Sequence, residues 1–210
     1  GWSTGRTGLT ETAARAEGLD VETVTTVVDD KAHYYPGADV FIVKLTADRS
    51  SRKLLGVQVL GRGAVDKVTD IAVTAISLGA TVDQLAAMDF AYAPPFSTAI
   101  HPFAHSVNIL LNKLDGALES ITPAQYAAGA AEGWEVIDCA QAPSLPGRRY
   151  LNLTDVTGEV AGLAKDAKLL LVCTKGKRAY LTQNRLKHYG YTNTRVLEGG
   201  VTFTEFESEE

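Results

Sequence analysis

The residues with the greatest chemical potential form one run, Cys173-Thr174-Lys175-Gly176-Lys177-Arg178. It follows the wholly apolar Leu169-Leu170-Leu171-Val172 and precedes a helical pattern over 177–189, so a strand delivers the cysteine at its carboxyl end and the chain turns there into a helix. Such a loop aims successive backbone N–H groups inward, and Gly176 permits the tight curl. With Lys175, Lys177 and Arg178 beside it, the cradle stabilises a thiolate and makes Cys173 a candidate nucleophile. Charge patterning agrees. Between Asp166 and Glu198 there is no acidic residue, whereas Lys168, Lys175, Lys177, Arg178, Arg185, Lys187 and Arg195 are basic, an anion-attracting segment in an acidic protein. A lone cysteine ending a core strand is ordinarily packing; the strand, basic loop and helix reverse that reading here.

Those residues must be positioned by a chain of 210 residues, 45% hydrophobic and 21% charged, which has room for one large or two small cores. The net charge of −5 is spread evenly, which disfavours nucleic acid as a partner. No run approaches the ~20 apolar residues of a membrane helix, and no secretory pattern is present, so the expected setting is cytoplasmic, without a membrane partner. Two cysteines do not make a disulfide framework. His33, His101 and His105 lack metal-ligand spacing, and no metal is expected. Gly61-x-Gly63 lacks the third glycine and the βαβ setting of a dinucleotide site and reads as a turn. The opening Gly1-Trp2-Ser3, without Met, suggests part of a longer protein.

Along the chain, Thr10 opens a short helix that Gly18 can end. Strand-like runs cover 21–28, 40–46 and 54–60, predicting an antiparallel sheet. Helical spacing then takes over across 66–78, Thr81-Val82-Asp83-Gln84 fits a capping box, and 107–114 is a last helix. Gly116–Ser120 reads as a linker. Thr122-Pro123-Ala124-Gln125 restarts with another capping box. Strands at 134–138, 169–173 and 194–197 alternate with helices at 157–163 and 177–189, which predicts a parallel sheet covered by helices.

The six-residue loop resembles the active loop of single-domain rhodaneses, Cys-x-x-Gly-x-Arg. Ile137-Asp138, Pro146-Gly147 followed by Asn152, and Leu197-Glu198-Gly199-Gly200 resemble that family's flanking segments, so the match spans about 121–207. The resemblance implies that Cys173 carries a sulfane sulfur as a persulfide held by loop amides, with Arg178 binding the anionic substrate. Cys173 and Arg178 are thus the candidate catalytic residues, and Thr174, Lys175, Gly176 and Lys177 line the cradle. Related phosphatases use a loop one residue longer, so sulfur transfer is favoured over phosphate hydrolysis. The chain departs from the pattern at Asp138-Cys139-Ala140-Gln141, where the family has an apolar residue and an Arg after the Asp. Cys139 could resolve a persulfide on Cys173 or stand as a small core residue.

Residues 1–116 offer no catalytic set of their own. Yet Gly56-Val57-Gln58-Val59-Leu60-Gly61, Val65-Asp66-Lys67, Ala75-Ile76 and above all Tyr92-Ala93-Pro94-Pro95-Phe96-Ser97 resemble the C-terminal dimerisation domain of pyridine nucleotide-disulfide reductases, nearest the coenzyme A-disulfide reductases and NADH oxidases. The resemblance implies that Tyr34 and Tyr92 reach into a partner subunit's site and bind substrate there; the alternative is turn capping by Tyr34 and interface packing by Tyr92. It also implies a homodimer, expected here through apolar faces of the sheet and of the 66–78 helix.

The expected architecture is therefore an α+β dimerisation domain over 1–116, an antiparallel sheet plus helices, followed by an α/β rhodanese-like domain over 121–207 with a parallel sheet. The family resemblance implies the C-terminal part of a coenzyme A-disulfide or persulfide reductase. This segment would bind no cofactor itself; FAD, NAD(P)H and coenzyme A would belong to the full-length parent, whose flavin and nicotinamide domains would be its partners alongside small thiol or persulfide substrates. The rival expectation is a non-catalytic dimerisation scaffold whose rhodanese-like domain only binds a sulfur carrier.

Overall fold

A computed structural model describes residues 1–206, so residue 207, the expected end of the second domain, lies outside the described residues. The chain divides into two compact units, Gly1–Gly116 and Ala117–Glu210.

The first unit begins with strand β1 (Ser3–Gly8), helix α1 (Glu11–Ala16) and strands β2 (Val21–Asp29), β3 (Val40–Asp48) and β4 (Leu54–Gly61). The strands form an antiparallel sheet in the order β1-β4-β3-β2. Thr10 caps α1 through its hydroxyl, which accepts from the Ala13 N–H. Helices α2 (Val65–Ser77), α3 (Val82–Ala86) and α4 (Pro102–Leu114) follow. The Thr81–Gln84 capping box forms in full at the start of α3. Helix α4 starts five residues before the expected 107, because the His101 imidazole accepts from the Phe103 N–H and Pro102 suits the first turn.

Period-2 alternation along β3 and β4 turns Val43, Leu45, Val57 and Val59 onto one face. There they meet Val65, Val68, Ala72 and Ala75 of α2 and Phe103, Val107 and Leu110 of α4. Each large side chain so buried contributes about 1.5–3 kcal/mol of transfer free energy. The buried faces of the sheet and of α2 therefore pack on each other. Exposed apolar side chains remain at Val73 of α2 and at Leu78 just beyond it, and also at Tyr34, Met88, Tyr92, Phe96 and Ile100. Gly56 is required by close approach: a Cβ there would lie 1.8 Å from the Leu9 carbonyl oxygen.

The second unit holds strand β5 (Ser120–Ile121), helix α5 (Pro123–Ala127), strands β6 (Glu135–Asp138), β7 (Arg149–Tyr150) and β8 (Leu169–Val172), helix α6 (Lys177–His188), strand β9 (Thr194–Leu197) and helix α7 (Gly200–Phe203). All pairings are parallel, in the order β5-β9-β8-β6-β7. Strand β8 is central and wholly buried, which explains its unbroken apolar run. The expected linker is partly structure: Leu118 is buried, the Gln183 side chain bonds both the N–H and the carbonyl of Glu119, and Ser120 starts β5.

The expected helix over 157–163 does not form. A single 3₁₀ turn at Leu153–Asp155 replaces it, and the following segment is irregular. Gly162 takes φ +72°, and the Ala161 and Gly162 carbonyls accept from the Arg149 guanidinium rather than from helical amides. Glycine at 158 and 162 weakens helical propensity enough for these long-range bonds to win.

Candidate active site

In the second unit β8 ends at Val172, and Cys173 stands immediately beyond it at the carboxyl edge of the parallel sheet. The chain then curls through Gly176, whose φ of +96° no L side chain adopts cheaply, into α6. The curl aims two backbone donors at the sulfur: the Gly176 N–H lies 3.2 Å from Sγ and the Ala179 N–H 3.4 Å. The first turn of any helix carries N–H groups without an intrahelical acceptor, so the Lys177 and Arg178 amides add to the positive end of α6 beside them. Cys173 itself is buried and unpaired with Cys139.

The loop is fixed from behind by α7. The Val201 N–H donates to the Cys173 carbonyl, while the Thr202 N–H and hydroxyl both donate to the Thr174 carbonyl. Gly200 makes this possible, since a Cβ there would stand 1.9 Å from the Cys173 carbonyl oxygen, and its φ is +53°. The Gly199-Gly200 signal was visible in the sequence; Thr202 carried no signal at all.

Asp138 answers the departure at 139–141. Its carboxylate accepts from the Ala140, Ser144 and Leu145 N–H groups and from the Ser144 hydroxyl, so the loop after β6 is held by backbone bonds where the family has an arginine. Cys139 lies one register step beyond the Asp138–Val172 pair, beside Cys173. Its thiol is fully buried, Sγ is 3.7 Å from the Ile137 carbonyl, and burial pushes its pKa up to about 12. It is held as a neutral thiol.

The structure brings Thr174, Lys175, Gly176 and Lys177 to the loop, with Thr174 and Lys177 exposed at the mouth. The Arg178 guanidinium is anchored to protein partners: Nε donates to the Cys139 carbonyl at 3.2 Å and Nη2 to Asn152 Oδ1 at 2.9 Å. The wider basic segment is also partly neutralised, since Lys187 and Arg195 both pair with Glu119, and Arg185 donates to the Leu153 carbonyl.

In the first unit the structure brings Tyr34 and Tyr92 together. Tyr34 sits in the loop between β2 and β3 and Tyr92 in the Pro-rich stretch before α4; both are strongly exposed, at 70% and 51%. Local desolvation and the hydrogen-bonded Tyr34 hydroxyl hold the Tyr92 phenol above its usual range. Gly61-Arg62-Gly63 leads from β4 towards α2 within an antiparallel sheet, so it is not the turn of a βαβ unit. Among the described residues no cluster of His, Cys, Asp and Glu could hold a metal ion, and no helix is long and apolar enough to cross a membrane.

Comparison with known proteins matches residues 1–104 to the pyridine nucleotide-disulphide oxidoreductase dimerisation domain and residues 118–203 to the rhodanese-like domain. A solved NAD-dependent persulfide reductase from A. fulgidus is 31% identical with a TM-score of 0.86, covering 97% of this chain and 37% of that one. The reduced CoADR-RHD of Bacillus anthracis is 27% identical with a TM-score of 0.85, covering 95% of this chain and 36% of its own. The NAD(P)H sulfur oxidoreductase (CoA-dependent) of Pyrococcus furiosus is 38% identical over 106 residues, half of this chain and 24% of that protein. The matched segment thus spans about a quarter of the length of these curated relatives. It carries a dimerisation domain of the pyridine nucleotide-disulphide oxidoreductases followed by a rhodanese-like domain, and in this it is similar to the C-terminal part of coenzyme A-disulfide and persulfide reductases.

Proposed function

We propose that the second unit transfers sulfane sulfur through a persulfide on Cys173, and that the first unit makes the homodimer of a coenzyme A-disulfide or persulfide reductase. The observation that carries this reading is the pair of backbone N–H groups, from Gly176 and Ala179, directed at Cys173 Sγ at the end of β8. Donors so placed stabilise a thiolate and then the terminal sulfur of a persulfide without having to reorganise. With thiosulfate as donor, the Cys173 thiolate attacks the outer sulfur, the S–S bond breaks and sulfite leaves with its electron pair. A thiolate or cyanide then attacks the terminal sulfur of the persulfide and regenerates the Cys173 thiolate. Lys177, exposed at the loop mouth, draws in the anionic donor.

Tyr34 and Tyr92, adjoining one another on the first unit, supply hydroxyls suited to a thiol or thiolate substrate in the assembled enzyme. The exposed Met88, Phe96 and Ile100 give the apolar surface that a second subunit would cover. FAD and NAD(P)H belong, on this reading, to portions of the relatives outside the part this chain matches, and no step above uses them.

The test is thiocyanate formation from thiosulfate and cyanide by the 210-residue chain. Turnover in the wild type and none in Cys173→Ser is the expected result. No turnover with thiosulfate, glutathione persulfide or polysulfide as donor would favour a scaffold that only binds a sulfur carrier.

A further inference from the structure

We infer that Arg178 acts on the site by holding the first turn of α6 in place, and that the loop amides with Lys177, rather than the Arg178 guanidinium, receive the anionic donor. The inference rests on the sulfur-transfer reading and assigns the roles within it. Arg178 is the second residue of α6, and the next residue, Ala179, supplies one of the two N–H groups that reach Cys173 Sγ. Its guanidinium is turned to protein partners: the Cys139 carbonyl at the end of β6 and the side chain of Asn152. Asn152 Oδ1 is itself fixed, because it also accepts from the Thr154 N–H as the cap of the 3₁₀ turn.

A fork with two donors in fixed geometry thus ties three segments together: the end of β6, the turn after β7 and the start of α6. Arg185, seven residues further along α6, reinforces the same tie through the Leu153 carbonyl. The consequence is geometric. Without the fork, the Ala179 amide is free to move relative to Sγ, and every reaction of that sulfur suffers, whatever the charge of the reagent. A guanidinium that bound the donor would produce a different pattern, affecting anionic reagents alone.

The experiment measures alkylation of Cys173 in the whole chain by neutral iodoacetamide and by anionic iodoacetate. Arg178→Ala should slow both reagents by the same factor, on the order of tenfold to a hundredfold, the loss typical of a misplaced reacting geometry. Arg178→Lys should behave like Arg178→Ala, since it keeps the charge but loses the fork. Asn152→Ala should slow both reagents too, and combining it with Arg178→Ala should add little, as expected of two members of one tie. Lys177→Ala should slow iodoacetate more than iodoacetamide, since it removes the charge that attracts an anionic reagent. If Arg178→Ala fails to fold, Asn152→Ala carries the same comparison. Selective loss of iodoacetate reactivity in Arg178→Ala, restored by Arg178→Lys, or unchanged rates in Asn152→Ala, would overturn the assignment. Because the readout is alkylation, it stands or falls separately from sulfur transfer, which the Cys173→Ser turnover assay decides.

Discussion

The ends of β6 and β8 lie side by side, each delivers a cysteine to the carboxyl edge of the same parallel sheet, and the two sulfurs have opposite surroundings. Around Cys173 the chain curls through glycine into the start of a twelve-residue helix, and two amides point at the sulfur. Around Cys139 the chain turns away on a carboxylate that gathers its own loop amides, and the thiol meets a carbonyl, an acceptor that favours the protonated form. Position in the sheet therefore offers a nucleophile in both places, and the following loop decides which one is made.

The largest effect should come from the backbone of the reactive side. Gly200→Ala forces a Cβ against the Cys173 carbonyl and strains a left-handed residue, so sulfur loading should be lost and the second unit should unfold more easily by about 2–3 kcal/mol, read by urea denaturation. Wild-type stability in that variant would mean that α7 does not fix the loop. Next comes the contrast in reactivity. In native protein near neutral pH, iodoacetamide should label Cys173 and leave Cys139 untouched until denaturant is added; peptide mapping reads both sites at once. Labelling of Cys139 at an equal rate would break the comparison.

A smaller effect concerns pH. Because the folded-state pKa of Cys139 is raised to about 12, its contribution to stability is intact below about pH 9, its unperturbed value, and is lost as pH rises from there towards 12. Cys139→Val cannot ionise, so the difference in Tm between wild type and variant should shift in the variant's favour over that window. In the first unit the sign reverses. His101 is buried against Phe90 and near Lys67, and its pKa is lowered to about 4, burial being the larger cause. Stability should be intact above about pH 6.5 and fall between there and pH 4, a loss that His101→Gln should reduce. Sedimentation should meanwhile show a dimer of about 45 kDa, twice the 22.4 kDa chain, as expected of a closed two-fold assembly; Phe96→Asp together with Ile100→Asp should shift it towards monomer.

What was legible in the sequence was what local rules control. The run Leu169–Val172, Gly176 and the period of 177–189 announced strand, curl and helix because burial, left-handed φ and amphipathicity each leave a mark within a few residues. The capping boxes at Thr81 and Thr122 were readable for the same reason. Strand β1 was not, since Ser-Thr-Gly-Arg-Thr-Gly has neither alternation nor β-branched apolar residues, and it pairs only as an edge strand with β4. The direction of Arg178 was equally hidden, because its partners Cys139 and Asn152 lie 39 and 26 residues away and only the parallel sheet brings them close.

The central claim, that one of two neighbouring cysteines is built to carry sulfur, is tested most directly by intact mass with site mapping after incubation with thiosulfate or glutathione persulfide. The account predicts one added sulfur, about 32 Da, on Cys173 in wild type and in Cys139→Val, removed by cyanide, and none in Cys173→Ser. Sulfur carried and released at the original rate by Cys173→Ser would contradict it.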